Sequence, residues 1–599
     1  MPIKKSFIKF VCILGGAGAL VYGYNKATQT GLIPTPGFMK ALVPQKAVLP
    51  DLKEAKVQDV APAPLPVVDS AANVSSTLIR GAIWEWNAQM GLLYATGGSK
   101  TAKGSLMEKH DVNLLLYRQD DTNKMAEELV ACAKELHDGA TQCTTGANFV
   151  IIMGDGAGQF AAGVNPQLTK LGPQYAVTVI GAVGYSRGED AFLVPPEVKA
   201  DPSKAKGLLV SGVLRDGDWN IAMKWAADNS IKNNPDEKTY DPEAINWVNS
   251  QDYNTAAADY VAGKCEERKL VQDGKPTKEV KNVCVNAVVT WTPGDVTVVQ
   301  KKGGLVKVVS SKEYRSQMPS VILGPKAFFE ANRKEVLGML AAIFEGGDQV
   351  KAFDRALRKA SEISAKVYAD QDANYWYKYF KGVTETDKFG NKVELGGSAV
   401  NNLADNLILF GLVPGANDNF RSTYTTFAAI ATQQYPEIFK TTPIPDVKEI
   451  EDKSFITGAQ ALMSDAGSAP DLPTFDTTKA TTTVSKRNYS INFDTGKATL
   501  TPVGVQQLYA LKDSLAVTGL VIQVDGYTDN TGDEEKTNLP LSLARAKAIK
   551  SFLQQKAPET FPNSRFLVNG YGSKDPVASN SSAQGRALNR RVQITLKGD

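Results

Sequence analysis

Gly526-Tyr527-Thr528-Asp529, then Asn538-Leu539-Pro540-Leu541-Ser542-Leu543-Ala544-Arg545-Ala546, then Gly585-Arg586-Ala587-Leu588-Asn589-Arg590-Arg591-Val592 decide how the end of this chain is read. Around them the pattern alternates between two periods. Tyr489–Phe493 alternates like a half-buried strand. Thr501-Pro502 opens a helix with proline in its first turn, carrying Val505, Leu508, Leu511 and Leu515 on one face. Val521–Val524 is a second strand that runs into the Gly526–Asp529 turn. Ser542–Gln554 is a helix with Arg545 on its first turn, and Phe566–Asn569 and Val592–Leu596 are further strands. Two helices against one face of a small sheet predict an α+β sandwich.

The three stretches, in that order, resemble the OmpA-like peptidoglycan-binding domain. The resemblance implies such a domain over 486–599, with the diaminopimelate stem peptide of peptidoglycan as partner. It implies Asp529 for the ammonium and Arg545 for the carboxylate of the zwitterionic peptide end. It places Thr528, Asn538, Leu541, Asn580 and Arg590 near the same pocket. The chemistry agrees: aspartate offers only acceptors, and arginine offers a planar fork that matches a carboxylate. The sequence departs from the family in three places. Asp529 to Asn538 is about one residue longer, Pro540 stands where a charged residue is usual, and Tyr527 replaces a frequent histidine. The alternative for Asp529 and Arg545 is an ion pair internal to the domain.

The chain has 599 residues, too many for one core, and 43% are hydrophobic, enough to bury several. Formal net charge is only +3 and no long basic run occurs, which excludes nucleic acid as the expected partner. Lys4, Lys5 and Lys9 precede an apolar run from Phe10 to Tyr24. A positive flank before an apolar segment is a membrane anchor or a cleaved signal. We expect an anchor over 1–27, which places the N-terminus in the cytoplasm and the rest outside it. The expected location is the periplasm of a Gram-negative-type bacterium, held to the inner membrane by this single segment. Cys132/Cys143 and Cys265/Cys284 are sequence-local pairs that would close short disulfide loops in that compartment; the alternative is four unrelated thiols. With two histidines, His110 and His137, and no Cys-x-x-Cys, neither metal nor other cofactor is expected.

Residues 28–75 are rich in Pro, Ala and Val and read as an extended linker, reaching on the order of 40 Å if flexible. A second linker is expected over 441–485, with an apolar segment, Phe455–Met463, that folds back on a domain. Between them, 76–440 alternates strands with helices. The strands expected are Val112–Tyr117, Phe149–Met153, Ala176–Val183, Leu208–Val213 and Ala287–Thr290. The helices expected are Met125–His137, Trp219–Ala227, Thr255–Ala262, Pro325–Phe344 and Gln349–Val367. This predicts an α/β domain on mostly parallel sheets, with a helical, aromatic C-terminal part from 345 to 440.

Trp84-Glu85-Trp86-Asn87, Gly97-Gly98-Ser99, Asp218-Trp219-Asn220, Trp291-Thr292-Pro293-Gly294-Asp295 and Ile322-Leu323-Gly324-Pro325 are similar to type 2 periplasmic substrate-binding proteins of the taurine/nitrate/sulfonate-like group. That resemblance implies two α/β lobes closing on a small-molecule solute, and a transporter or membrane complex as a further partner. Open α/β sheets bind ligands at strand carboxyl ends. Those ends carry Asp155, Asp216–Trp219 and Trp291-Thr292. Trp86, Trp219 and Trp291 are the expected walls, Asp155, Asp218 and Asp295 the charge, and Ser186 a donor; Trp219 and Asp218 lead the set. Carboxylates suit a cation better than a sulfonate. Gly184-Tyr185-Ser186-Arg187-Gly188 matches a hydrolase nucleophile elbow, but both histidines precede Ser186, where that fold needs one after it. Gly154–Gly158 lacks the Gly-Lys-Ser/Thr of a nucleotide loop. The expected protein is therefore no enzyme but an envelope-anchored solute-binding protein tethered to peptidoglycan. The alternative is a scaffold linking membrane, wall and partner complex, whose binding fold has lost its ligand.

Overall fold

Phe149–Met153 and Val177–Ser186 are buried at every position, the mark of strands covered on both faces. In the computed structural model, which describes residues 60–463, 467–494 and 496–599, they lie in a six-stranded sheet. Its order is Ser398–Val400, Val177–Ser186, Pro319–Pro325, Phe149–Met153, Leu78–Ile83, Asn113–Arg118. Leu78–Ile83 pairs parallel with both of its neighbours, and Pro319–Pro325 is inserted antiparallel. A second six-stranded sheet runs Val306–Ser310, Ala191–Val194, Ala287–Thr290, Leu209–Gly212, Ala244–Asn249, Lys232–Asn233. Its core trio is again parallel, with Ala191–Val194 antiparallel to it. These are the two lobes.

The chain crosses from the first lobe to the second through 187–190 and returns through 311–318. Side chains tie the crossings together. The hydroxyls of Ser186 and Ser311 are 2.6 Å apart, and the Gly188 amide donates to Ser311 Oγ at 2.8 Å. Paired crossings at one place form a hinge. The lobes are shut on each other: Thr122 Oγ1 of the first donates to Asp216 of the second at 3.0 Å. Gly217 explains how close they come, since a Cβ there would sit 1.8 Å from Met153 Sδ of the facing lobe.

Three differences from the expected elements have identifiable causes. The helix expected over Pro325–Phe344 is two, Lys326–Ala331 and Arg333–Ala352, because Asn332 leaves helical dihedrals; the next begins only at Asp354, after extended Phe353. Cys265–Gln272 and Lys275–Cys284 form an antiparallel hairpin that hydrophobic patterning misses, since charged residues occupy both faces. Asp273-Gly274 at its tip, both at positive φ, is the signal that would have found it. The expected helical part, 345–440, also holds a second hairpin, Val383–Thr386 with Lys392–Leu395, and the edge strand Ser398–Val400.

Both stretches expected as linkers are partly laid on the large domain. In the first, Ala72 N donates to Thr101 O at 3.0 Å and Gln349 Nε2 to Ala61 O at 2.8 Å. In the second, Ser454–Gln460 is a helix whose Phe455 and Ile456 are fully buried, and Ser468 is bonded to Asp348. The apolar N-terminal run, with Cys12, lies outside the described residues. Among the described residues no helix is long and apolar enough to cross a membrane.

The C-terminal domain is a four-stranded sheet ordered Thr482–Tyr489, Val592–Gly598, Val521–Gly526, Phe566–Gly570, with helices Pro502–Ala516 and Leu539–Lys556. Leu508, Leu511 and Leu515 are buried as patterned, while Val505 is partly buried. The first strand ends at Tyr489 rather than starting there, because Thr482–Tyr489 pairs along the whole of the last strand. Arg565 is fully buried and donates to the carbonyls of Leu515, Thr518, Leu520 and Thr560, closing the C-terminus of the first helix.

This domain packs against the large one at three places. Gly519 N donates to Glu313 O (2.8 Å) and Ser316 N to Val517 O (2.9 Å), both on the returning crossing. Lys224 Nζ of the second lobe donates to Ser514 Oγ at 3.1 Å. From the helical extension, Ser422 Oγ donates to Asp513 at 2.7 Å. Both expected disulfides are formed, Cys132–Cys143 and Cys265–Cys284, the second joining residues directly opposite in its hairpin.

Candidate functional site

The carboxyl ends of the parallel strands of both lobes converge beside the hinge. Asp155 follows Phe149–Met153 in the Gly154–Gly156 turn and is fully buried. Its Oδ2 accepts from Gln317 Nε2 at 2.7 Å and Asn220 Nδ2 at 3.2 Å; its Oδ1 has no partner. Asp216 caps the helix Gly217–Asp228 of the second lobe, accepting from the Gly217 amide at 2.8 Å. Asp218, on the first turn of that helix, and Asp190, on the first crossing, are also fully buried. The Asp190 and Asp218 carboxyls lie against each other, with the Ser186 hydroxyl beside Asp190. Burial pushes Asp155 up to about 8 and Asp190 to about 6, and raises Asp218 well above the carboxylate range, with Asp190 adding to the effect.

An aromatic wall adjoins this group. Tyr253 and Trp291 have ring centroids 3.9 Å apart, Trp291 stacks on Trp84 at 5.4 Å, and Trp84 lies 6.3 Å from Trp86. Asp216, Asp218, Asp190 and Asp155 all act on the Tyr253 phenol, which burial raises first and foremost.

The structure brings together Asp155, Asp218, Trp86 and Trp291 from the expected ligand set, and it redirects three others. Trp219 packs between Trp247 (6.2 Å) and Tyr435 (5.8 Å) rather than in the wall. The Ser186 hydroxyl is committed to Ser311 and the Asp190 amide, so it serves the hinge. Asp295 is neutralised by Lys307 at 2.9 Å. Asp190, Trp84 and Tyr253 are added to the expected set: Trp84 stands in the quoted Trp84–Asn87 stretch, but only the crossing and the strand ends bring it to Trp291 and bring Asp190 and Tyr253 beside them. The histidines are elsewhere, His110 at Glu345 and His137 at Asp138.

The second site lies in the C-terminal domain. Asp529 follows Val521–Gly526 and accepts from the Thr531 amide at 2.8 Å. Its ion pair is with Arg590, at 2.6 Å, not with Arg545. Burial pushes Asp529 up, but the Arg590 and Thr531 bonds outweigh it and hold the carboxyl below its usual value. Arg545 rises from the helix Leu539–Lys556, donates Nε to Lys497 O at 3.1 Å and lies over the Phe493 ring at 5.2 Å. Burial and then Arg590 lower it, with Asp529 opposing, so the three charges are mutual neighbours. Thr528 is buried with its hydroxyl unpartnered. Asn538 is buried on a π-helical turn, Glu534–Asn538, that leads into the helix carrying half-buried Leu541. A π turn carries one residue more than an α turn, and this one lies within the Asp529–Asn538 stretch that reads as lengthened. Asn580 accepts from Asn589 Nδ2 at 2.8 Å and so shapes the neighbouring loop. Tyr527 stacks on Tyr571, with Arg591 over its ring at 3.7 Å.

Residues 492–590 match the model of the OmpA family. The probable lipoprotein YiaD of Escherichia coli is 39% identical over 108 residues, 18% of this chain and 48% of that protein. The peptidoglycan-binding protein ArfA of Mycobacterium bovis is 37% identical over 107 residues, 18% of this chain and 32% of that protein. The chain thus spans half or less of the length of these two relatives. Among solved structures, the periplasmic nitrate-binding protein NrtA from Synechocystis covers 66% of this chain and 93% of its own, at 13% identity and a TM-score of 0.42. The chain therefore ends in an OmpA family domain, carried behind a large two-lobed α/β domain.

Proposed function

We propose that this protein binds a small solute between its two lobes and is tethered to peptidoglycan by its C-terminal domain. The observation that carries the solute reading is the convergence of strand ends from both lobes on one buried, under-partnered polar group beside a two-strand hinge. Such a place is where open α/β sheets bind ligands, and a hinge allows a ligand to enter and be enclosed. The tether reading is supported by Arg545, which among the described residues has no ion pair, while Asp529 stands close by. Asp529 would take the stem-peptide ammonium and Arg545 its carboxylate. Thr528, Asn538, Leu541, Asn580 and Arg590 would shape the pocket, and the N-terminal segment would anchor the chain in the inner membrane.

A scaffold role is favoured by one observation: the C-terminal domain touches both the second lobe and the returning crossing, a contact that would stiffen the hinge. Native mass spectrometry of the full chain, released from periplasm without denaturant, separates the two readings. A discrete small adduct is expected for solute binding. A bare mass, with no thermal shift from any small molecule offered, would leave the scaffold. Co-sedimentation with purified peptidoglycan tests the tether.

A further inference from the structure

We infer that the interlobe site takes a donor-rich organic cation, a protonated amine or guanidinium, held by Asp155, Asp190 and Asp218 against the Tyr253–Trp291–Trp84 wall. This rests on the solute-binding reading and names its ligand class.

Around Asp155 the atoms left without a partner are acceptors, its own Oδ1, Asn220 Oδ1, Gln317 Oε1 and the oxygens of Asp190 and Asp218, while the wall carries idle donors of its own, the indole N–H groups of Trp84, Trp86 and Trp291. Asn220 and Gln317 each spend their amide nitrogen on Asp155, which leaves their carbonyl oxygens idle. All five residues are fully buried. A buried acceptor left unmade is costly, and a buried carboxylate more so. Protein cations do not fill the gap. Lys307, whose charge reaches Asp190, is bonded to Asp295 (2.9 Å) and Gly188 O (2.6 Å). Arg118 is taken by Glu85 and Asp120.

The missing component must therefore bring several N–H donors and positive charge. Tyr253 borders the same group: its ring is 2% exposed and its hydroxyl lies beside Asp216, with burial first and then the carboxyls raising its phenol. Its ring and those behind it offer the faces that attract an organic cation. A bare metal ion is the other cation to consider. Among the described residues no group of three or more His, Cys, Asp or Glu is arranged to hold one. An anion is disfavoured, because it brings further acceptors to a place already short of donors.

The test is thermal unfolding of the full chain with putrescine, agmatine, arginine and choline, against taurine, nitrate and Ca²⁺, repeated on Asp190→Asn/Asp218→Asn. At saturation we expect an amine or guanidinium to raise the melting temperature by about 2–5 °C. The double variant should melt higher than wild type without ligand, having lost two crowded carboxyls, and should lose the amine shift entirely. A purely structural pair would show neither change. A shift from nitrate or taurine and none from amines would overturn the ligand class while leaving solute binding intact. A shift from Ca²⁺ alone would assign the site to a metal and equally overturn it. No shift from any probe, together with a bare native mass, would sink both readings.

Discussion

The two charged sites of this protein handle carboxylates in opposite ways. In the C-terminal domain Asp529 has an arginine at 2.6 Å and a backbone amide at 2.8 Å, and its carboxyl is held below the usual range. Between the lobes, Asp155, Asp190 and Asp218 have no counter-cation of their own, and burial drives all three upward. A paired carboxylate is ready to exchange one partner for another at a partly open surface. The C-terminal pair is balanced within the chain, whereas the carboxyls between the lobes carry the cost of burial.

The largest expected effect tests the aromatic side of that contrast. Trp291→Ala removes a ring packed against both Tyr253 and Trp84 and should destabilise the protein by about 3–5 kcal/mol in denaturant unfolding. Next, Arg545→Ala should weaken co-sedimentation with peptidoglycan by about 2–5 kcal/mol, roughly thirtyfold or more, with circular dichroism unchanged. Undiminished sedimentation would remove Arg545 from the wall pocket.

A pH scan sharpens the comparison through its sign. Asp155 and Asp190 have folded values raised above their unfolded ones, so their contribution is fully present below about pH 4 and is lost as pH rises through about 6 and then 8. Ligand-free protein should therefore melt progressively lower from pH 5 to 8.5, and Asp155→Asn should flatten that slope. Asp529, with a lowered value, acts the other way: its contribution is present above about pH 4 and fades only in more acid solution. The smallest effect is expected at Arg590→Gln. The pair with Asp529 is half-exposed on the arginine side, so its loss should cost about 0.2–1 kcal/mol of stability. The drop in peptidoglycan affinity should be well short of that from Arg545→Ala.

How much of this was legible in the sequence differs between the two sites for a physical reason. The C-terminal site is built from turns and first helical turns within one small domain, so Thr528, Asp529, Arg545 and Arg590 announce themselves by order and residue type. Even its irregularity, the extra residue before Asn538, could be counted in the chain, where the structure has a π turn. The interlobe site is assembled from strand ends more than a hundred residues apart, Trp84 against Trp291 and Asp155 against Gln317. Sequence proximity therefore misled at two points. Trp219 stands beside Asp218 in the chain, but on a helix neighbouring residues face different directions, and its ring goes to Trp247 and Tyr435. Ser186 sits in a motif suggestive of catalysis, yet its hydroxyl joins two chain crossings.

What the sequence by itself determined is local: which segments are apolar enough to form buried strands, where prolines and glycines stop them, which cysteines lie close enough to pair, and which residues line a pocket made within one short domain. The tertiary structure alone decided which strand ends face one another, that a serine belongs to a hinge, and that Asp155, Asp190 and Asp218 are buried where the two lobes meet. Those outcomes depend on chain crossings between two sheets, and pairwise distances across such crossings are set by the packing of whole lobes rather than by the pattern along any one of them.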